Sequence, residues 1–154
     1  MSATVSQTEK ELKSVTMNCM FDGPKGVPTK VSESLVAEED MHIVAIEHFN
    51  GVLGGDFSDN GHLLSKNPDN PWLKWEAQAT KMEPTGTKGY FGYCGRDYYS
   101  EVAGIGDVMA YETFPAGCHF LVRKGETLYL HCYGCSYAGR EKTDFHHAVR
   151  LIYW

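Results

Sequence analysis

Several things are missing from this sequence, and each absence narrows the reading. No apolar run approaches the roughly 18 to 20 residues that a bilayer-spanning helix needs, so no transmembrane helix is expected. No basic patch is visible either. Lysine and arginine number 14 against 20 aspartates and glutamates, the net charge is −6, and the cations are scattered. Grip on nucleic-acid phosphates or acidic lipid surfaces requires clustered cations, so neither partner is expected. The first residues, MSATVSQTEKELKSVTMN, lack a basic stretch followed by an apolar one. The expectation is a chain made in the cytoplasm without a secretory signal. Five cysteines make an odd count, which does not suit a disulfide framework. They are expected to act chiefly as small buried apolar groups.

Catalytic patterns are absent too. There is no G-x-S-x-G elbow and no phosphate-cradling glycine loop, and Gly104-Ile105-Gly106 lacks the rest of a dinucleotide fingerprint. The order of Asp56, Asp59 and Asn60 is not that of a calcium loop. Seven histidines are present, but no H-x-H pair, which would aim two imidazoles to one side of a strand. His146 and His147 are adjacent and would face opposite ways, whereas His42 and His48 would share a face. Cys132-Tyr133-Gly134-Cys135 is a single C-x-x-C without the second pair of a zinc ribbon. These absences point to a chain that is not an enzyme and carries no cofactor or metal.

What is present is strand pattern. The stretch Ala116 to Tyr133, AGCHFLVRKGETLYLHCY, holds two apolar and aromatic runs, Cys118–Val122 and Thr127–Tyr133, on either side of Arg123-Lys124-Gly125-Glu126. That reads as a hairpin. In the second run Leu128, Leu130 and Cys132 face one way, the expected core, and Thr127, Tyr129, His131 and Tyr133 the other. Val15 to Phe21 alternates as a first strand, and residues 30 to 39 read as strand then turn. Met41 to Phe49 is nearly continuous in apolar residues, as in a strand covered on both faces, and Asn50-Gly51 is expected to turn the chain. Gly54 to Pro71 has the composition of a long surface loop, and Trp72 to Lys81 alternates as a one-sided strand. Met82 to Gly106 interleaves glycines with tyrosines, with a strand expected near Tyr98 to Val102. Asp107 to Phe114 is a further strand, and Phe145 to Trp154 alternates to the end, with Trp154 expected to be packed.

Seven or eight short strands without an amphipathic helix predict an all-β antiparallel two-sheet sandwich of jelly-roll type, with a closed small β-barrel as the alternative. Residues 1–13 read as a polar N-terminal arm and 14–154 as one domain. From the KGETLYLHCYG strand to the aromatic last strand, about a third of the chain, the sequence resembles the single jelly rolls of virion decoration and capsid-associated proteins and of trimeric tumour-necrosis-factor-like domains.

Aromatic side chains supply the candidate site. Tyr129, His131 and Tyr133 line the face opposite Leu128 and Leu130, and the glycine-tyrosine segment adds Tyr90, Phe91, Tyr93, Tyr98 and Tyr99. Tyrosine gives large contact area at low entropic cost plus a hydroxyl. One reading is that a sheet or loop of the same chain covers these residues. The functional reading is an interface or ligand-binding surface. The expected function is therefore a structural, non-enzymatic jelly-roll subunit of a symmetric assembly, such as a capsid cement or tail protein in a virion. Its expected partners are copies of itself, as a trimer, and other assembly proteins. A carbohydrate-binding module with Trp72 and Tyr90 to Tyr99 as stacking platforms is the alternative, and a cupin-like metalloprotein using His42, His48 and His131 is a third reading.

Overall fold

The computed structural model describes residues 11–70, 72, 90–99, 108–114 and 116–154, with backbone alone for 50–59, 90–99, 108–112 and 138–141. Seven strands run in order: β1 (Lys13–Pro24), β2 (Thr29–Val36), β3 (Met41–Ser65), β4 (Tyr90–Tyr99), β5 (Val108–Thr113), β6 (Phe120–Val122) and β7 (Thr127–Tyr153). All pairings are antiparallel.

The architecture follows from two very long strands. β3 has 25 residues and β7 has 27. Straight, β7 would extend about 90 Å at about 3.3 Å per residue, whereas a chain of this length packs to a radius of gyration of about 15 Å. The strands therefore bend, and they bend together. β3 pairs along β7 from Ile43↔Tyr153 to Ser65↔Tyr129, with register shifts between Leu53 and Ser58. On the other side of β7, β1 pairs with 142–153 and β2 with 127–134, so the segment 13–36 follows the same bend. Beyond β3 lie β4 beside its second half and β5 and β6 beside its first. One continuous ribbon is thus folded into two layers. One layer holds β1, the ends of β7 and β3 that pair with it, β5 and β6; the other holds β2, the opposite ends of β7 and β3, and β4.

The core lies between the layers. Met17, Cys19, Met41, Ile43, Ile46, Val149 and Leu151 from the first layer meet Leu64, Leu128, Leu130 and Cys132 from the second. Leu128, Leu130 and Cys132 face inward, as their alternation predicts. Phe145 fills the bend. Its ring stacks on Phe21 at 5.1 Å between centroids. Gly23 and Gly134 present bare backbone to that ring, and a Cβ on either would stand 2.8 or 2.9 Å from it.

Several expectations are corrected. Asn50-Gly51 does not turn the chain, and most of Gly54 to Pro71 is not a surface loop: β3 continues to Ser65, and residues 60–65 are buried. Pairing with β7 on one side and β4 on the other supplies the order that glycine and aspartate withhold. β4 takes in Tyr98 and Tyr99 of the strand expected near Tyr98 to Val102 and begins earlier, at Tyr90; residues 100–102 lie outside the described residues. β6 and β7 are not hairpin partners. β6 pairs with the start of β3, so the turn at 123–126 carries the chain from one layer to the other. Contacts with the 37–40 turn hold it: Gly125 N–H donates to the Ala37 carbonyl (2.8 Å), Ala37 N–H to the Glu126 carbonyl (2.9 Å), and Lys124 N–H to Asp40 Oδ1 (2.8 Å). Residues 1–10, 71, 73–89, 100–107 and 115, and with them most of the 1–13 arm, most of the Trp72–Lys81 strand and part of the glycine-tyrosine segment, lie outside the described residues; Lys13, expected in the arm, begins β1.

Gly134→Ala is expected to lower stability by about 1–3 kcal/mol through overpacking against Phe145. Because the two sites touch, Gly134→Ala and Phe145→Leu together should depart from additivity by about 0.5 kcal/mol or more in urea unfolding.

Candidate functional site

Two groups of side chains stand out: the outer face of the β7 strand from Tyr129 to Tyr137, and a set of histidines inside the sandwich.

On the outer face, Tyr129 is half-buried and stacks on His131 with ring planes 6° apart. His131 and Tyr133 are fully buried. The cover comes from residues 66–70 and Trp72. Trp72, also fully buried, packs on Tyr133 at 4.1 Å between centroids, and its Nε1–H donates to the His131 carbonyl (3.1 Å). Three short side chains shape this segment: Asn67 N–H donates to Ser65 Oγ (2.9 Å), Asp69 N–H to Asn67 Oδ1 (3.0 Å) and Trp72 N–H to Asn70 Oδ1 (2.9 Å). Ser and Asn are suited to such local turns because their oxygens reach backbone N–H groups two residues on. His131 pins the segment down. Its Nε2–H donates to the Asn67 carbonyl (2.8 Å), which leaves Nδ1 to accept from Ser32 Oγ–H (2.7 Å). Burial pushes the His131 pKa below its ordinary value, partly opposed by the Asn67 bond, which favours this neutral form. Trp72 is thus a core residue here and offers no open stacking platform. Backbone pairing places Tyr90, Phe91, Tyr93, Tyr98 and Tyr99 on β4, opposite 57–65 of β3; their side chains lie outside the described residues.

The histidines sort differently from their spacing. Ile43 pairs with Tyr153 and Ala45 with Ile152, so Val44 is an extra residue, a bulge. A one-residue slip exchanges faces. His42 and His48 therefore do not share a side. His42 lies outside, stacked on Trp154 at 3.7 Å and hydrogen-bonded through Nδ1 to His119 Nε2 (3.0 Å). His48 lies inside, and its Nδ1 meets His62 Nε2 at 2.8 Å; His62 Nδ1 meets His147 Nδ1 at 2.8 Å. All three inner rings are fully buried. His42, His48 and His131, the set a cupin-like site would use, thus have separate partners. The two inner contacts use different nitrogens of His62, so the rings form a chain and do not aim at one point. Among the described residues no group of three or more His, Cys, Asp or Glu is arranged to hold a metal ion.

Burial holds His62 and His147 neutral. It pushes His62 well below its ordinary pKa, reinforced by His147 and His48. It lowers His147 to about 3, with His146 adding repulsion. Neither thiol of the C-x-x-C is in a disulfide. Three residues apart on a strand, Cys132 faces the inter-layer core and Cys135 the outer cluster with Trp72. Burial and the neighbouring Cys19 thiol push Cys132 well above its ordinary value.

No family model matches the chain, and no curated protein matches it. Among solved structures it is similar to one described as a crystal structure of the infectious bursal disease virus VP2 subviral particle. The identity is 8%, the TM-score 0.34, and the match covers 99% of this chain and 37% of that one. The chain spans little more than a third of that protein's length, and the sandwich described above stands on its own hydrogen bonding and core. No helix among the described residues is long and apolar enough to cross a membrane.

Trp72→Phe removes the bond to the buried His131 carbonyl. It is expected to lower stability by about 1–3 kcal/mol, read as a shift in urea midpoint at unchanged slope.

Proposed function

We propose that the chain is a structural subunit of a symmetric assembly, a sandwich of jelly-roll type that joins copies of itself along its β1–β2 edge. One observation carries this reading. The large hydrophobic side chains that stand exposed among the described residues, Leu12 (60%), Met20 (70%), Val27 (48%) and Val36 (56%), all fall within 12–36, the segment that forms this edge.

The backbone supports the same surface. Among the described strands β1 and β2 pair with β7 alone, so half of their N–H and C=O groups point away from the sheet. A long open edge is a template for another strand. A groove of about 350 Å³ opens beside it, lined by Val15, Leu35, Val36, Met41 and Tyr153 with Glu38 and Glu39 at its rim. Lys13 reaches Glu39 there at 2.9 Å. The edge of one copy can meet itself across a two-fold axis, since an antiparallel ladder is self-complementary. It can also meet the β4–β6 edge of the next copy in a closed ring. A virion is the setting proposed for such an assembly.

Light scattering across a concentration series tests this. The expected result is a stable oligomer that Met20→Lys shifts towards monomer, while the monomer's own stability stays unchanged because the side chain is exposed. The mass separates a two-fold pair from a three-fold ring. A monomer at every concentration overturns the proposal.

A further inference from the structure

We propose that the His48–His62–His147 chain is an acid-operated latch between the two layers of the sandwich, closed when the imidazoles are neutral and opened when they take up protons. His48 and His62 are 14 residues apart on the same strand, a span of about 46 Å if that strand were straight, yet their nitrogens are 2.8 Å apart. The bend in β3 brings them together, so His48 and His147 stand on one layer and His62 on the other. The two nitrogen contacts are thus polar bonds across the inter-layer core.

Proton counting shows how the latch works. Three neutral imidazoles carry three N–H donors and three bare nitrogens. Two contacts consume two of each, so a single direction of donation runs through the chain and both contacts are made. One extra proton can be held on His62, which then donates to both neighbours. A second cannot. Wherever it lands, it adjoins a charged ring or sets N–H against N–H, and a contact between the layers breaks.

Among the described side chains, those around His62 and His147 offer a cation there little relief. From β1, Phe21 stacks on the His147 ring (6.1 Å between centroids) and the Cys19 thiol stands opposite in register. From β7, Cys132 stands opposite His62, and His146 is next to His147. On β3 the carboxylate beside His48 is Glu47, and it pairs with Arg150 on the other face. β4 and β5 bring Cys94 opposite His62 and Ala110 opposite His48 in backbone register. The charges that bear on His62 and His147 come from other histidines.

The sign of the pH effect follows. Both groups bind protons less readily folded than unfolded. The closed form is fully favoured above the ordinary histidine value of about 6.5 and loses ground as pH falls, down to about 3 for His147. Each such histidine raises the opening constant by up to tenfold per pH unit, and two raise it by up to about a hundredfold. The latch belongs to a single chain, so it does not depend on whether copies associate.

Hydrogen exchange from pH 7.5 to 4, corrected for intrinsic rates, tests it. Peptides covering 58–65 and 142–149 are expected to lose protection first, by 10- to 100-fold per pH unit. His62→Gln, whose amide is uncharged and keeps both a donor and an acceptor, should cut that slope by about one proton, while His146→Gln should leave it unchanged. Uniform loss of protection across the sandwich, or an unchanged slope in His62→Gln, overturns the latch. Should His62→Gln fail to fold, ring signals of the unmodified protein decide: His62 and His147 are expected to stay neutral until the layers part. Ordinary titration near pH 6.5 in an intact fold overturns the proposal.

Discussion

The structure depends on the pairing of β3 along almost the whole of β7. Neither strand can lie straight within a domain of this size, and each is bonded to the other through the bend. Because β1 and β2 follow the same path on the far side of β7, one ribbon supplies both layers and the core between them. Phe145 packs on Phe21 between the backbones of Gly23 and Gly134. Two glycines leave room for its ring, so the bend is filled rather than hollow. The same bend makes neighbours of residues far apart along a strand, which is how three imidazoles come to share the interior.

Polar groups are buried on both sides of the second layer, and each set has its own chemistry. Inside, three histidines bond in a chain, with His62 using both ring nitrogens to reach His48 and His147. Outside, residues 66–70 and Trp72 fold back over β7, and Ser32, Asn67 and Trp72 bond to His131 through side chain and backbone. β7 is therefore covered on both faces at His131 and Tyr133, which a strand of a half-solvated antiparallel sheet is not. Among the described residues, exposed apolar side chains and outward-pointing backbone coincide at the β1–β2 edge.

Much of the strand content was legible in the sequence. Alternation placed Leu128, Leu130 and Cys132 in the core, and it put Phe145, His147, Val149 and Leu151 on one face of the last strand, the face that turns out to be buried. What escaped was order imposed from a distance. Residues 54–65 have loop composition, and only their pairing with β7 and β4 makes them strand; strand preference is strongly set by context. With them His62 was lost, and with it the histidine chain. The bulge at Val44 defeated the placing of His42 and His48 on one face, since parity counting assumes an unbroken pleat. At 123–126, two apolar runs joined through glycine look the same whether they pair with each other or part to different layers. The cover over His131 and Tyr133 comes from a polar stretch whose Asx turns carry no hydrophobic pattern.

The position of β7 in the chain also sets how the protein must fold. β1, β2 and the whole of β3 use β7 as a partner, yet β7 follows all the other described strands in sequence. Ser65 meets Tyr129 across 64 residues and Ile43 meets Tyr153 across 110. Contacts of such separation are costly in loop-closure entropy and slow to form. During synthesis the earlier strands must wait with open edges for the one that joins them, which makes the interval before β7 emerges the time of greatest exposure to wrong partners.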